Sequence, residues 1–274
     1  MKVAVLQMNG GINPAANARV LAHAMAEAAQ RGAAMVFTPE MSNLVDRDRA
    51  RAAESISAED DDVVLAAART AAAVHRLWLH LGSCAVRRPD GRLANRGFVI
   101  DDGGEVRAHY DKLHLFDVDL SGGESWRESA SYAAGDRAVA VDTPAGRLGL
   151  SICYDLRFPD LYRALSDAGA TVLAVPAAFT RSTGAAHWDT LLRARAIEAG
   201  AFVIAAAQTG DHEDGRTTYG HSLVVDPWGE VLLDMGEEAG LAVIDLELAA
   251  VAEVRARIPA LTHRRLIPPV SIAP

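Results

Sequence analysis

A four-layer α-β-β-α sandwich, two β-sheets face to face with helices outside, is the fold class this sequence predicts, on three observations. Apolar runs of four to eight residues recur along the chain, Ala-rich amphipathic stretches separate some of them, and turn sequences join others directly. The helix-separated runs suit parallel pairs and the directly joined runs suit antiparallel hairpins, a mixture that fits two sheets better than one singly wound sheet.

The elements follow in order. VAVLQM opens as a strand, and Asn13-Pro14 supplies a capping side chain and a proline for a first helix over 14–31, closed by Gly32. AMVFTP is a second strand, and residues 59–76 are a second helix. LWLHLGSCAV and GFVID are strands, with Pro89-Asp90-Gly91 and Asp102-Gly103-Gly104 as hairpin turns. AVAVD and LGLSIC precede a helix over 158–168 that ends at Gly169. TVLAVPAAF, a helix over 186–199, FVIAAAQ, then SLVVDPWG and EVLLDM around Pro227-Trp228-Gly229 continue the pattern, followed by LAVIDL and a short helix over 247–257. The proline-bearing tail over 258–274 has little periodicity and reads as an extended arm on the body or on another subunit.

At 274 residues, half of them apolar, one domain over 1–274 with a large core is expected. The net charge of −9 argues against nucleic acid or an anionic membrane as the main partner. RDRAR at 47–51 is short and interrupted by acid, and reads as a solvated face. No run approaches the roughly 20 apolar residues of a membrane span, and the chain opens on a strand pattern rather than a charged leader, so a cytoplasmic protein is expected. Two cysteines without CxxC spacing give neither a disulfide framework nor a thiolate metal cage.

Cys153 stands where the apolar run LGLSI stops and YDLRFPDLYRAL begins, at the carboxyl end of a strand and near a helix start. Amide N–H groups there lower a thiol pKa and hold an oxyanion. Cys84, in LGSCAV, has apolar neighbours on both sides and reads as core. None of the nine histidines lies in a local Cys-His signature; His187 sits on a helical face, and neither His212-Glu213-Asp214-Gly215 nor His109 with His114 has metal-site spacing. Ser151 lacks the glycines of a nucleophile elbow. Glu40, set at a strand end by Thr38-Pro39, is a candidate base, and Lys112 in AHYDKLHLF lies in another strand-like run.

Strand-TPE, YDKLHLFDVD and LSICYDLRFPDLYRAL together resemble the Glu-Lys-Cys pattern of the nitrilase superfamily, the carbon-nitrogen hydrolases, with likeness from Met1 to about Arg265. The resemblance implies the nitrilase-type sandwich and a cofactor-free amidase working through a cysteine thioester. It implies that Cys153 is nucleophile, Glu40 general base and Lys112 oxyanion stabiliser, with the Tyr154 backbone N–H as second donor. A second glutamate orients substrate and lysine in this family; Glu128 matches its place, with Glu124 nearby.

CYDLRFPDLYRAL, AAFTRSTGAAHWDTLLRARAIEAGAFVIAAAQTG and YGHSLVVDPWGEV resemble the Nit branch, which holds omega-amidases and deaminated-glutathione amidases; AAQTGDH with TTYGHSLVVDPWG is more similar to the second group. That implies an acidic 2-oxo amide, bound by Arg157 with Phe179 and Thr183 lining the pocket. The implied reaction splits deaminated glutathione into 2-oxoglutarate and cysteinylglycine, with 2-oxoglutaramate and N-carbamoyl amino acids as alternatives. Arg157 also has a structural reading, an ion pair with Asp155 or Asp160. Relatives often have Gly-Pro before His-Trp; Gly184-Ala185-Ala186-His187 here is expected to shift a loop over the pocket. A homodimer formed through Phe158 to Leu165 and the tail is implied as well. A non-catalytic binding protein on the same fold would be marked by loss of a triad member, and all three are present.

Overall fold

The computed structural model describes residues 1–120 and 125–273. The first sheet is built from β1 (Lys2–Gln7), β2 (Met35–Phe37), β3 (Trp78–Arg87), β4 (Leu93–Ile100) and β5 (Val106–Asp111). A small ribbon of β6 (Asp117–Asp119) and β7 (Ser125–Arg127) follows. The second sheet takes β8 (Ala140–Thr143), β9 (Gly146–Leu150), β10 (Val172–Ala174) and β11 (Phe202–Ala205). After the ribbon β12 (Thr209–Asp211) and β13 (Thr217–Tyr219) come its last two strands, β14 (Leu223–Val225) and β15 (Val231–Asp234); β16 (Gly240–Asp245) then returns to the first sheet beside β1. The helices are α1 (Pro14–Gln30), α2 (Arg49–Ser55), α3 (Val63–His75), α4 (Pro159–Asp167), α5 (Arg181–Ala199) and α6 (Ala249–Arg257).

Strand order is β16-β1-β2-β3-β4-β5 in one sheet and β15-β14-β11-β10-β9-β8 in the other. In each, three parallel strands (β1, β2, β3 and β9, β10, β11) are flanked by antiparallel ones. The period of two sorts the side chains. Val3, Val5, Met35, Phe37 and Val99 pack toward Leu148, Leu150 and Ile152 between the sheets. Ala4, Leu6, Val36, Phe98 and Ile100 face the opposite way, against Leu21 and Met25 of α1 and Ala68 and Ala72 of α3. α4 and α5 close the far side of the second sheet through Leu161, Leu165, Trp188 and Leu192. This is the expected α-β-β-α sandwich.

Local signals act as anticipated at α1, where the Asn13 side chain accepts a hydrogen bond from the Ala16 N–H. All three predicted hairpin turns join paired strands. Three details differ. The 47–51 run enters a helix, α2, capped by Asp48, whose Arg49 and Ala52 face the main cavity instead of only solvent. α5 starts at Arg181, so residues 184–187 are its early turns rather than a shifted loop, and Gly184 is needed there because a Cβ would lie 2.3 Å from the Tyr219 ring. The tail meets α4 only as far as Arg264, which bonds the Arg163 carbonyl and the Ser166 and Asp167 side chains. Beyond it Leu266, Ile267, Val270 and Ile272 stand exposed, not laid on the body.

Gly82 in β3 touches the turn that follows β2: a Cβ there would sit 2.1 Å from the Thr38 carbonyl oxygen and 2.5 Å from Pro176 Cβ. Neither neighbour is a flexible tip, so Gly82→Ala must push two backbone segments apart. The expected cost is about 1–3 kcal/mol, read as a lower denaturant midpoint at an unchanged slope; an unchanged midpoint would contradict the close approach.

Candidate active site

The parallel strands end at one rim, and the loops leaving them carry the chemistry, as is general for open parallel sheets. After β2, Pro39 ends ladder pairing, and the Thr38 hydroxyl accepts from the Gly82 N–H (3.0 Å) and bonds Ser42 Oγ (2.9 Å). Ser42 Oγ in turn donates to the Pro39 carbonyl (2.7 Å). Met41, with φ of 55°, completes the turn that points Glu40 inward.

Lys112 lies one residue past β5, its backbone N–H donating to the Asn95 carbonyl of β4 (3.0 Å). Cys153 follows β9 with φ of 51° and opens a 3-10 turn, Cys153–Arg157, that precedes α4. A non-glycine residue held in that region is strained, and such residues concentrate at functional sites. The loop after β10 registers both partners: the Pro176 carbonyl accepts from the Cys153 N–H (2.9 Å), and the Ala178 N–H donates to Glu40 Oε2 (2.9 Å).

The tips meet. Lys112 Nζ donates to Glu40 Oε1 (2.8 Å) and to Glu128 Oε2 (2.9 Å), and all three side chains are almost wholly withdrawn from solvent. The Glu40 carboxylate also lies beside the Cys153 thiol, close enough for each to shift the other's pKa. Glu128 is fixed by the Phe116 N–H (2.7 Å); Glu124 lies outside the described residues. Desolvating an ammonium and two carboxylates offsets most of their attraction, so such a cluster is a poor stability device and points to chemistry.

The charge states follow from competing causes. Burial pushes Glu40 up, but Lys112, the thiol and Asn95 outweigh it and hold the carboxyl below its ordinary value. Burial pushes Lys112 down, and the two glutamates more than reverse it. The thiol reverses the sequence expectation: burial and the neighbouring Glu40 charge raise Cys153, and Lys112 offsets this only in part. The resting site is therefore thiol, carboxylate and ammonium, with the thiol's acceptor already in contact.

A second network fixes the 3-10 turn. Asp155, fully buried, accepts from the Ile152 N–H (2.9 Å), the Tyr110 hydroxyl (2.7 Å) and the His114 N–H (3.0 Å), and contacts His114 Nδ1 (2.7 Å). His114 stacks on Phe158 at 3.6 Å. The structural reading of Arg157 fails accordingly: Asp155 is turned away, Asp160 is not a partner, and Arg157 contacts His187 Nδ1 (3.2 Å) and lies 5.7 Å from the Phe179 ring centre.

Glu40, Lys112, Glu128, Cys153, Tyr154, Arg157, Phe179 and Thr183 all line one cavity of about 890 Å³. Its described wall also carries Arg47, Arg49, Arg127, Arg181 and Arg216. Counting Lys112 and Arg157, seven cations stand against the three carboxylates of Glu40, Asp46 and Glu128. Most are neutralised locally, as Arg181 by Glu237, Arg216 by Asp214 and Arg127 by Asp119. Among the described residues the guanidinium groups of Arg47, Arg49 and Arg157 have no carboxylate partner, Arg49 donating instead to the Arg127 carbonyl (2.9 Å). Sequence reasoning passed over Asn95, which donates to Glu40 Oε1 (2.9 Å) and Glu128 Oε1 (3.1 Å), and over Tyr132 and Trp126 in the cavity wall. No local signal marked Asn95, which stands beside Arg96 just ahead of the apolar run GFVI.

Among the described residues no group of three His, Cys, Asp or Glu side chains is arranged around a metal ion. The family model described as carbon-nitrogen hydrolase matches residues 2–256, nearly the whole chain. This protein belongs to the carbon-nitrogen hydrolase family. It is 40% identical over 266 residues to the nitrilase and fragile histidine triad fusion protein NitFhit of Caenorhabditis elegans, a match covering 96% of this chain and 60% of that protein. The chain thus spans about 60% of the length of that relative. The NitFhit crystal structure superposes with a TM-score of 0.89 at 39% identity, over 96% of this chain and 65% of that one. The human protein named deaminated glutathione amidase is 40% identical over 268 residues, 96% of this chain and 82% of its own. Saccharomyces cerevisiae Nit3, described as a member of branch 10 of the nitrilase superfamily, has a TM-score of 0.85 at 26% identity over 94% of each chain. Among the described residues no helix is long and apolar enough to cross a membrane.

Proposed function

We propose that the chain is a deaminated-glutathione amidase in which Cys153 is the nucleophile, Glu40 the general base and acid, Lys112 the oxyanion donor and Glu128 the group that orients Lys112. The observation that carries this is the convergence of thiol, carboxylate and ammonium in a cavity whose described wall holds four more cations than anions. Glu40 takes the thiol proton as sulfur attacks the amide carbon. Lys112 has three N–H bonds; the two glutamates engage two, and the third, with the Tyr154 N–H at the start of the 3-10 turn, faces the developing oxyanion. Glu40 returns the proton to the leaving nitrogen, releasing cysteinylglycine and leaving a thioester. It then deprotonates the water that frees 2-oxoglutarate and regenerates the thiol.

The substrate assignment is supported by the relatives named for it and by the size of the cavity, which accommodates a dipeptide leaving group beyond the five-carbon oxo acid. Arg157, beside Phe179 and Thr183, takes the 2-oxo acid carboxylate. Side-by-side turnover of deaminated glutathione, 2-oxoglutaramate and an N-carbamoyl amino acid, followed by 2-oxoglutarate or ammonia release, tests the assignment. A best kcat/KM on the carbamoyl compound overturns it. For Arg157→Met the expected result is a KM about 10- to 100-fold higher for the acidic amide, from loss of a charged hydrogen bond, with kcat changed much less. An unchanged KM removes Arg157 from the carboxylate site.

The same proposal treats the chain as one catalytic unit with a C-terminal arm, cytoplasmic, where its two free thiols stay reduced. It also makes the enzyme a homodimer through Phe158 to Leu165 and the tail; Leu161, Tyr162 and Leu165 are buried in the chain's own core, so the apolar surface that supports the dimer is the exposed Leu266, Ile267, Val270 and Ile272 of the tail. Sedimentation at the mass of one chain counts against the dimer.

A further inference from the structure

Asn95 sits on β4, almost fully buried, with its carbonyl already bonded to the Lys112 N–H. Its side chain therefore leaves the strand at a register fixed beside Lys112. Both carboxamide hydrogens are spent on carboxylates, 2.9 Å to Glu40 Oε1 and 3.1 Å to Glu128 Oε1, while Oδ1 is buried with no hydrogen-bond partner. Buried polar atoms are rarely left this way, and each such case calls for a reason. The reason here is geometric: turning the amide over would aim Oδ1 at two carboxylate oxygens, so the orphaned acceptor is tolerated to keep both donors inward.

We propose that Asn95 is a positioning residue whose carboxamide clamps Glu40 and Glu128 in one orientation about Lys112, leaving Glu40 Oε2 to the Ala178 N–H and the carboxylate beside the Cys153 thiol. It does so without charge. A lysine at this position would compete with Lys112 for the same oxygens, and an aspartate would add a third buried anion to a cluster with one cation. Carboxamide is the side chain that supplies two divergent N–H bonds and no net charge. The inference rests on the triad reading given above.

The titratable groups facing Glu40 are Lys112 after β5, Glu128 from the turn after β7 and Cys153 after β9, with Tyr132 further along the same wall. Removing the Asn95 donors leaves these in place and withdraws a hydrogen bond from ionised Glu40, so the pKa of Glu40 rises. The acid limb of the rate profile then moves to higher pH.

The test uses Asn95→Leu, close in shape, and Asn95→Ser, which is smaller and less disruptive to the strand, each compared with wild type in thermal melting and in the pH dependence of kcat/KM. The expected result is a 10- to 100-fold lower kcat, KM within threefold, and an acid limb displaced upward by about one unit in whichever variant melts as a folded protein, with Asn95→Ser as the deciding variant. A folded variant with wild-type kcat overturns the proposal, and so does a lower kcat with an unmoved acid limb, because a merely structural asparagine would give the latter. Cys153→Ser is assayed alongside. If it keeps activity, the triad reading itself has failed; if it is inactive while the Asn95 variants are normal, only the positioning role has.

Discussion

Cys153→Ala is expected to take hydrolysis of deaminated glutathione down by at least about 10⁴-fold, the scale on which losing a covalent nucleophile is felt, whereas Cys84→Ala stays within about twofold in kcat. The contrast is sharp because both thiols are free, both are buried, and both are pushed up in pKa by burial. What separates them is company. Cys153 touches Glu40 and opens on the cavity, whereas Cys84 is sealed among α1, α3 and the outward face of the first sheet. Replacing Cys84 removes a sulfur from a close-packed core and costs stability of about 1 kcal/mol, so the two variants exchange roles between assay and melt. Alkylation by iodoacetamide, mapped by mass spectrometry, gives an independent reading: modification at Cys153 should far outpace Cys84. Equal activity loss in both variants, or equal labelling, would remove Cys153 from the mechanism.

The second large effect is Glu40→Gln. The amide keeps the shape and can still accept from Lys112, but it cannot take the thiol proton. The expected fall in kcat/KM is about 10²–10⁴-fold, the usual range for removing a general base. The wild-type pH profile carries the sign. Lys112, the thiol and Asn95 hold the folded Glu40 below its ordinary value of 4.5 against the upward push of burial, so the base stays ionised through the neutral range and the acid limb falls below 4.5. The same linkage makes the Glu40 contribution to stability fully present above the unfolded value and lost as pH falls through the lower folded one. Measurement of kcat/KM from about pH 3.5 to 8 checks this. An acid limb near neutrality would contradict the charge state described, and a Glu40→Gln enzyme with wild-type rates would assign the base elsewhere.

The parts of this fold that could be read from sequence are those where local pattern and burial agree. The alternation of Val3 and Val5 against Ala4 and Leu6 declares a strand buried on both faces, and the cap at Asn13 declares a helix start. The five N-terminal residues of α5 escaped because Arg181-Ser182-Thr183-Gly184 is a weak helix former, selected instead by the Tyr219 ring that Gly184 accommodates. α2 escaped because only Ala52 on it is buried. Within the site, Glu40, Lys112 and Cys153 are distant in sequence, and only the combined likeness of their three segments grouped them. Asn95 and Asp155 show the limit. Each looks like an ordinary polar residue beside an apolar run, and its partners are set by tertiary register: β4 against β5 for the first, the 3-10 turn against the Tyr110–His114 segment for the second.

The cation-lined cavity has a consequence beyond affinity. The chain as a whole carries a charge of −9, so at long range it repels any anion, and only within about 8 Å, the screening length at physiological ionic strength, does the arginine-lined entrance dominate. A polyanion too broad to enter meets the repulsive exterior, while a compact dicarboxylate that reaches the mouth is drawn inward. On the proposed reading, size and charge are thus filtered in one step, before any bond to the reacting carbonyl is made.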